Sequence, residues 1–202
     1  MKVAVLASGV GTNLQALIDQ VHGRDGIEIV AVASDNPQAP ALERARKAGI
    51  ALQAFPLSDH DVREARDGAI AAWLGQLEAE LVVLAGYMQL LAPAFLDAFP
   101  DRVINVHPAL LPAFAGLNAV EQAISYGVKV FGVTVHFVDE GIDTGSVILQ
   151  RAVELPDARD ATAVLERLSP IEHELLPHAV RLIARGLVSR DPGNPRRVLT
   201  AR

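Results

Sequence analysis

The sequence predicts an α/β protein of one domain, built on a doubly wound, mostly parallel β-sheet with an antiparallel addition near its C-terminal end. Short apolar runs alternate along the chain with segments whose apolar residues recur at helical spacing. The runs are apolar on both faces, which is typical of parallel strands covered by helices on both sides. A length of 202 residues and a hydrophobic content of 50% are sufficient for one large core.

Strands and helices alternate through the first half of the chain. The segment KVAVLA predicts a first strand, SGVGT a glycine-containing loop, and NLQALIDQV a helix. The same pattern predicts strands at 27–34, near 51–55 and at 81–86, separated by helices at 41–49 and over residues 61–78. Gly49 is a natural stop for the helix that precedes it.

The second half opens with a strand over RVIN that continues through His107, because a residue before proline is biased towards an extended backbone. A helix at 118–127, paired strands at 130–138 and 146–155, and a helix at 160–185 follow. Residues 1–188 are thereby predicted to form one domain. Residues 189–202 contain two prolines, one glycine and few apolar side chains, which predicts a flexible tail.

The composition argues against several classes of function. A formal charge of −6 without a long basic run disfavours nucleic acid as a partner. The absence of cysteine excludes disulfides, thiol nucleophiles and thiolate metal sites, and is compatible with a reducing compartment. The N-terminus lacks the roughly 7–15 apolar residues of a signal peptide. The most apolar stretch, 81–96, is interrupted and shorter than the about 20 residues of a membrane span. We therefore expect a cytoplasmic protein that does not bind membranes.

The first candidate site is the segment NVHPALLP, residues 105–112. Side chains alternate along a strand, so Asn105 and His107 share one face while Val106 points towards the core. An amide beside an imidazole is suited to stabilise a developing oxyanion, most strongly when the imidazole is protonated. Spacing alone does not separate this role from a structural one, in which both side chains cap the strand end.

The second candidate is the loop DEGIDTG, residues 139–145, between the paired strands. Asp143 lies between two glycines, whose flexible backbone would let its carboxylate fold back towards the sheet edge. Asp139 and Glu140 are alternatives for the same role, and a solvated acidic turn is the simpler interpretation from composition. His136 precedes the loop on a strand, where a single histidine is more often structural than catalytic.

The third candidate is the glycine loop SGVGTN after the first strand. Its glycines let backbone N–H groups approach a phosphate at the positive end of a helix, where Thr12 and Asn13 add hydroxyl and amide donors. Leu14 stands where a dinucleotide fingerprint has its third glycine, and the loop lacks the lysine of a Walker motif. One compact phosphate therefore suits the loop better than a pyrophosphate. In open parallel sheets, such loops meet at the edge where ligands bind.

These segments together resemble the folate-dependent formyltransferases. The resemblance rests on VLASGVGTNLQALID, VVLAGYMQLL, INVHPALLPAF and VHFVDEGIDTGSVILQ, in the order and spacing of that family, and spans residues 1–180. It implies a Rossmann-like fold. It also implies two small-molecule substrates, 10-formyltetrahydrofolate as the cosubstrate and glycinamide ribonucleotide as the acceptor, and no metal. The resemblance is also compatible with a homodimer.

The resemblance also implies roles for individual residues. The amine of the acceptor would attack the formyl carbonyl, while Asn105 and protonated His107 stabilise the oxyanion. Asp143 would pair with His107 and help to move the proton through water. The ribonucleotide would bind at Gly11, Thr12, Asn13 and Glu172. The folate would bind at Arg63, Met88, Gln89, Leu90, Leu91, Asn105, Asp139, Glu140, Gly141 and Asp143.

The chain departs from the family pattern at several points, all outside the implied catalytic residues. The segment FAGLNAV lacks the proline that the family usually has after the aromatic residue. Ala109 replaces a serine, Gln89 an arginine and Asn118 a histidine. These substitutions concern the contacts to the folate and to the ribose.

Other activities fit the sequence less well. Formyltetrahydrofolate deformylase has an N-terminal regulatory domain, whereas the first strand here begins at Lys2. Methionyl-tRNA formyltransferase has a C-terminal nucleic-acid-binding domain, which the last residues do not resemble. A nicotinamide-dependent oxidoreductase would place Gly9 and Gly11 at the phosphates and Asp35 at a ribose. That hypothesis leaves the segment from Asn105 to Pro112 unexplained.

Overall fold

A computed structural model describes residues 1–201 of the protein, and of residue 195 the backbone alone. The strands are β1 (Lys2–Leu6), β2 (Glu28–Ser34), β3 (Ala51–Ala54), β4 (Leu81–Leu84), β5 (Val103–His107), β6 (Val130–Phe137), β7 (Val147–Glu154), β8 (Val188–Asp191) and β9 (Asn194–Thr200). The helices are α1 (Thr12–Gln20), α2 (Pro40–Lys47), α3 (Arg63–Gln76), α4 (Pro93–Ala98), α5 (Ala119–Tyr126) and α6 (Ala161–Ala184), and a short 3₁₀ helix spans Leu57–Asp59.

A seven-stranded sheet has the order β3-β2-β1-β4-β5-β6-β7, and β8 and β9 form a separate two-stranded sheet. The pairs among β1 to β5 are parallel. The pair of β6 with β7 is antiparallel. The predicted α/β class, with a mostly parallel sheet and an antiparallel addition, is confirmed.

The first of two compact units comprises Met1–Asn105. Apart from Lys2, which opens β1, its central strands β1 and β4 consist of valine, leucine and alanine, and all of these apolar side chains are buried. β1 pairs with β2 on one side and with β4 on the other, so the strand order reverses between β1 and β4. Ligands of doubly wound sheets bind at the carboxyl ends of the strands beside such a reversal.

The loops that follow β1 and β4 are joined by hydrogen bonds at this reversal. The backbone N–H of Ser8 donates to the carbonyl of Gly86 at 3.0 Å. The backbone N–H of Met88 donates to Oγ of Ser8 at 2.9 Å. The glycine loop and the segment at 86–91 therefore form one rim of the first unit.

The second unit begins at Val106. Its long helix α6 begins where predicted because the carboxylate of Asp160 accepts hydrogen bonds from the N–H groups of Thr162 and Ala163. The helix continues through Pro170 and Pro177 to residue 184. β6 and β7 form an antiparallel pair with an irregularity at Val135/His136, next to the loop that carries Asp143.

Two segments differ from the sequence predictions. α4 was not predicted, because its six residues are too few to display a helical period. Residues 188–200, predicted to lack regular structure, form the hairpin of β8 and β9. Pro192 does not prevent pairing, since it lies in the turn, where the N–H of Gly193 also donates to Oδ1 of Asp191 at 2.8 Å. Residue 202 lies outside the described residues, and a single domain over 1–188 stays a prediction.

Candidate active site

The side chains of His107 and Asp143 meet in the second unit. Nδ1 of His107 lies 3.3 Å from Oδ2 of Asp143, and the side chains are 7% and 14% exposed. His107 is the last residue of β5, and Asp143 lies in the loop between β6 and β7. The structure therefore brings together the imidazole and the carboxylate that the sequence singled out, and both side chains are largely buried.

Both ring nitrogens of His107 face oxygen acceptors. Nε2 lies 2.9 Å from the backbone carbonyl of Phe114. A carbonyl can only accept, so Nε2 carries the proton of that hydrogen bond. Nδ1 can donate to Asp143 only when it carries a second proton. The doubly protonated ring, which is the form that stabilises an oxyanion best, thus satisfies both contacts.

The carboxylate of Asp143 is contacted by one backbone N–H and by two imidazole rings. Besides His107, the N–H of Gly116 donates to its Oδ2 at 2.8 Å, and Nε2 of His136 lies 3.4 Å from its Oδ1. Burial raises the pKa of Asp143, but the hydrogen bonds from His136 and Gly116 and the charge of His107 outweigh burial and lower that pKa to about 2. The carboxylate is therefore ionised at neutral pH.

His136 is a site residue that the sequence interpretation treated as structural. Its Nδ1 lies 2.8 Å from the carbonyl of Phe137, and its Nε2 faces Asp143. The contact with the Phe137 carbonyl agrees with a structural role for His136. The contact with Asp143 places the ring at the candidate site as well. The available signal was its position seven residues before Asp143, at the end of a strand that leads directly into the acidic loop.

Asn105 lies on the same strand as His107, two positions earlier, and is half-buried. Strand β5 does continue to His107, as the following proline predicted, and Val106 between them is 7% exposed. Alternation along the strand therefore places the Asn105 amide on the face of the imidazole.

The segment after His107 is tied to β6 and β7 by buried hydrogen bonds. Oγ1 of Thr134 donates to the carbonyl of Ala109 at 2.6 Å and accepts from the N–H of Leu111 at 3.1 Å. The amide of Gln150 donates to the carbonyl of Leu111 at 2.8 Å. Gly132 allows this packing, since a Cβ there would lie 2.4 Å from the side chain of Leu110. The backbone that presents His107 is therefore fixed independently of any ligand.

The acidic loop is organised by one of its other carboxylates. Oδ1 of Asp139 accepts from the N–H of Gly141 at 3.1 Å and from Oγ1 of Thr144 at 2.6 Å. Glu140 is exposed. Of the three acidic residues that were alternatives, Asp143 alone approaches His107 among the described contacts, and Asp139 shapes the turn.

The glycine loop of the first unit is braced from α2. Gly11 has a φ of 75°, in the left-handed region, and a Cβ at this position would lie 2.8 Å from Cβ of Ala41. Nε of Arg44 donates to the carbonyl of Val10 at 2.8 Å, and its Nη1 donates to Oε1 of Gln15 at 3.0 Å. The first turn of α1 begins at Thr12, which is exposed, and continues with Asn13, which is buried. This is the geometry in which N–H groups at a helix start can face an anion.

A buried ion pair supports the loop after β4. Nη2 and Nε of Arg66 lie 2.7 and 2.8 Å from Oδ1 of Asp67, and neither side chain is exposed. Arg66 also donates to Oε1 of Gln89 at 3.3 Å and to the carbonyl of Leu90 at 3.4 Å. Oδ2 of Asp67 accepts from the N–H of Ala92 at 2.6 Å. The sequence interpretation missed both residues, because adjacent opposite charges in a helix usually face solvent.

Gln89 completes this network, since its amide nitrogen donates to Oδ2 of Asp35 at 2.9 Å. The carboxylate that the oxidoreductase hypothesis assigned to a ribose is therefore engaged by the protein itself.

Of the other residues expected to line a folate site, Met88 and Leu90 are 62% and 53% exposed, Leu91 is partly exposed, and Arg63 pairs with Glu64 at the start of α3.

Glu172 is partly buried on α6 in the second unit.

Among residues 1–201, no group of three or more histidine or carboxylate side chains could hold a metal ion. None of the helices in that same range is long and apolar enough to span a membrane.

The chain is similar to proteins of known activity. The formyl transferase family model matches residues 1–180. Phosphoribosylglycinamide formyltransferase of Bacillus subtilis (strain 168) is 40% identical over 181 residues, 89% of this chain and 93% of that protein. The enzyme of the same name from Mycobacterium tuberculosis is 43% identical over 91% of this chain and 85% of its own. The crystal structure of glycinamide ribonucleotide transformylase 1 from Symbiobacterium toebii superimposes with a TM-score of 0.95 at 42% identity, covering 100% of this chain and 94% of that one. The chain belongs to the formyl transferase family.

Proposed function

We propose that this chain transfers the formyl group of 10-formyltetrahydrofolate to the amine of glycinamide ribonucleotide, N1-(5-phosphoribosyl)glycinamide. The products are formylglycinamide ribonucleotide and tetrahydrofolate, as required in the de novo synthesis of purines. The observation that most supports the proposal is the contact of 3.3 Å between His107 and Asp143 in a chain similar over most of its length to enzymes with this activity.

The chemical step needs a site for an oxyanion and a path for one proton. The amine nitrogen attacks the formyl carbon, and the carbonyl electrons move to its oxygen. Asn105 and protonated His107 donate hydrogen bonds to that oxygen. When the oxyanion collapses, the bond from carbon to N10 of the folate breaks, and N10 takes up a proton while the new amide nitrogen loses one.

Asp143 has two parts in this step. As an ionised carboxylate beside His107, it stabilises the cationic ring while the oxyanion forms. It also accepts the proton that leaves the attacking amine, through water, and passes a proton on towards N10. The Nε2 proton of His107 is engaged by Phe114, so donation to the oxyanion through Nε2 involves an exchange of the Phe114 carbonyl for the substrate oxygen.

Binding of the two substrates is assigned to separate groups of residues. We place the phosphate of the ribonucleotide at Gly11, Thr12 and Asn13, and its glycinamide-ribose part near Glu172. The folate site is proposed to comprise Arg63, Met88, Gln89, Leu90, Leu91, Asn105, Asp139, Glu140, Gly141 and Asp143. We further propose that residues 1–188 act as one catalytic domain in the cytoplasm, without a metal.

A direct assay tests the proposal. Purified protein is mixed with 10-formyltetrahydrofolate, and loss of the formyl group is followed by absorbance with and without glycinamide ribonucleotide. We expect turnover only when the ribonucleotide is present. Equal loss in its absence would identify a hydrolase instead, and binding of nicotinamide nucleotides without folate binding would exclude formyl transfer.

A further inference from the structure

The hairpin of β8 and β9 lies beyond residue 180, where the match to the family model ends. One of its side chains nevertheless reaches the base of the loop that carries Asp143. Nη1 of Arg190 donates to Oγ of Ser146 at 2.9 Å. The guanidinium carbon of Arg190 lies 5.3 Å from the centroid of the Phe137 ring. Phe137 and Ser146 are the residues that flank the loop on its two sides.

The base of this loop, here called the neck, consists of Phe137, Gly145 and Ser146 and is tightly packed. The N–H of Phe137 donates to the carbonyl of Ser146 at 2.9 Å, and the two residues are 7% and 8% exposed. A Cβ on Gly145 would lie 1.7 Å from the carbonyl oxygen of Phe137. Because the neck leaves so little space, a displacement of either flanking residue is passed on to the loop between them.

Asp143 itself is held in an uncommon backbone conformation. Its φ is 52°, in the left-handed region that favours glycine. Aspartate adopts this conformation more readily than most residues do, but at a cost that surrounding contacts must offset. Within the loop, Asp139 fixes Gly141 and Thr144, and at its tip the N–H of Gly116 holds the Asp143 carboxylate. The neck adds a constraint at the base of the loop, beyond the contacts of the carboxylate with His107 and His136.

We propose that Arg190 is a positioning residue for formyl transfer. By holding Phe137 and Ser146 together, it fixes the loop at 138–145 and thereby keeps the carboxylate of Asp143 against His107. This inference rests on the proposed function. It makes the C-terminal hairpin a support of the active site, although the sequence had predicted a flexible tail there.

Arginine suits this task better than lysine does. Its planar guanidinium can lie over an aromatic face and at the same time donate a directed hydrogen bond from its edge. A lysine ammonium retains the charge but cannot provide both contacts in that geometry. The conservative variant Arg190→Lys is therefore expected to rescue the function in part.

The test compares Arg190→Ala and Arg190→Lys with Arg197→Ala. Arg197 lies on the same hairpin, its side chain is 68% exposed, and it pairs with Asp191, so the control removes an equal charge without touching the neck. The kcat and both KM values are measured in the formyl-transfer assay. Hydrogen exchange is followed at the amides of Phe137 and Gly116, and at those of β1 and β4 as a reference.

We expect Arg190→Ala to lower kcat by about tenfold and to leave KM for the ribonucleotide within about twofold, because a displaced catalytic group affects the chemical step. Exchange at Phe137 and Gly116 should become faster while β1 and β4 keep their protection. Arg190→Lys should be intermediate, and Arg197→Ala should behave like the wild type. Ser146→Ala removes the same hydrogen bond and should reproduce the slower turnover if Arg190→Ala does not fold.

Two results would overturn the inference: a wild-type kcat in Arg190→Ala, or a uniform loss of protection that includes β1 and β4. Absence of formyl transfer by the wild-type protein would refute the proposed function instead. The exchange at Phe137 and Gly116 would then still decide whether Arg190 holds the loop.

Discussion

Oδ2 of Asp143 lies 3.3 Å from Nδ1 of His107, and Oδ1 of the same carboxylate lies 3.4 Å from Nε2 of His136. One carboxylate thus bridges two imidazoles, each of which has its other nitrogen beside a backbone carbonyl. Contacts within the protein therefore orient both rings. Preorganisation of this kind is the main way in which a site stabilises a charge that develops only in the transition state.

Replacing either partner of the His107–Asp143 contact should slow the reaction strongly. His107→Ala removes a donor to the oxyanion, and Asp143→Asn removes the charge that stabilises the ring and accepts a proton. Each is expected to lower kcat by about 10² or more, the usual effect of losing an oxyanion donor or an acid–base partner. The measurement is kcat at saturating concentrations of both substrates.

An exposed histidine that makes none of the contacts described at the site provides the control. His178→Ala changes an exposed residue of α6 and should keep the wild-type kcat. If His107→Ala turned over at a rate close to that of the wild type, the role given to His107 in the transition state would be wrong.

The ionisation of Asp143 should contribute to stability in a defined range of pH. Its pKa is about 2 in the folded protein, against an ordinary value of 3.8. A lowered pKa stabilises the folded state above the unfolded value, and this stabilisation is lost as the pH falls towards the folded value. The difference corresponds to about 2 kcal/mol above pH 5, of which about half is lost by pH 3.

Urea unfolding of the wild type and of Asp143→Asn between pH 5 and pH 3 measures this contribution. The difference in unfolding free energy between the two proteins should shrink by about 1 kcal/mol over that interval, because only the wild type carries the titrating carboxylate. A difference that stayed constant with pH would show that Asp143 is not stabilised in its ionised form.

The sequence predicts the strands that carry the site residues better than it predicts the contacts between their side chains. Continuous apolar strands and the proline after His107 placed Asn105 and His107 on one strand face at the sheet edge, because strand alternation is local. The side-chain contacts of His136 depend on how β6 enters the acidic loop, with an irregularity at Val135/His136, and no local period reports that. Arg190 contacts Ser146 and Phe137, which are distant from it in the sequence, so no local pattern predicts these contacts either.

Gly11 should tolerate alanine much less well than Gly49 does. Both glycines have a φ close to 70°, so alanine is strained at either position. At Gly49 nothing lies within 4 Å of the added Cβ, whereas at Gly11 the Cβ would lie 2.8 Å from Cβ and 2.9 Å from Cα of Ala41. Gly11→Ala must therefore move the glycine loop away from α2.

We expect Gly49→Ala to cost about 1 kcal/mol of unfolding free energy and to leave catalysis unchanged. Gly11→Ala should lower the unfolding free energy further. If the loop binds the phosphate, this variant should also raise KM for the ribonucleotide by about tenfold or more, because losing one charge-assisted hydrogen bond weakens binding by at least about that factor. Equal KM values for the two variants would argue against a phosphate at this loop.

The buried pair of Arg66 and Asp67 allows stability to be separated from the arrangement of the loop after β4. Arg66→Met leaves the Asp67 carboxylate buried without its guanidinium, which is expected to cost about 3–5 kcal/mol in urea unfolding. In the double variant Arg66→Met/Asp67→Asn no charge is left uncompensated, and the asparagine oxygen can still accept from the N–H of Ala92. The double variant should therefore recover most of that loss.

Binding of the formyl donor should not recover in the same way. Both variants lack the hydrogen bonds from Arg66 to Gln89 and to the carbonyl of Leu90, which hold the segment proposed to bind folate. KM for 10-formyltetrahydrofolate should therefore stay raised in the double variant while KM for the ribonucleotide remains near the wild-type value. If the donor KM returned to normal together with stability, the ion pair would serve folding alone, and the orientation of the loop would have to come from the contact between Gln89 and Asp35.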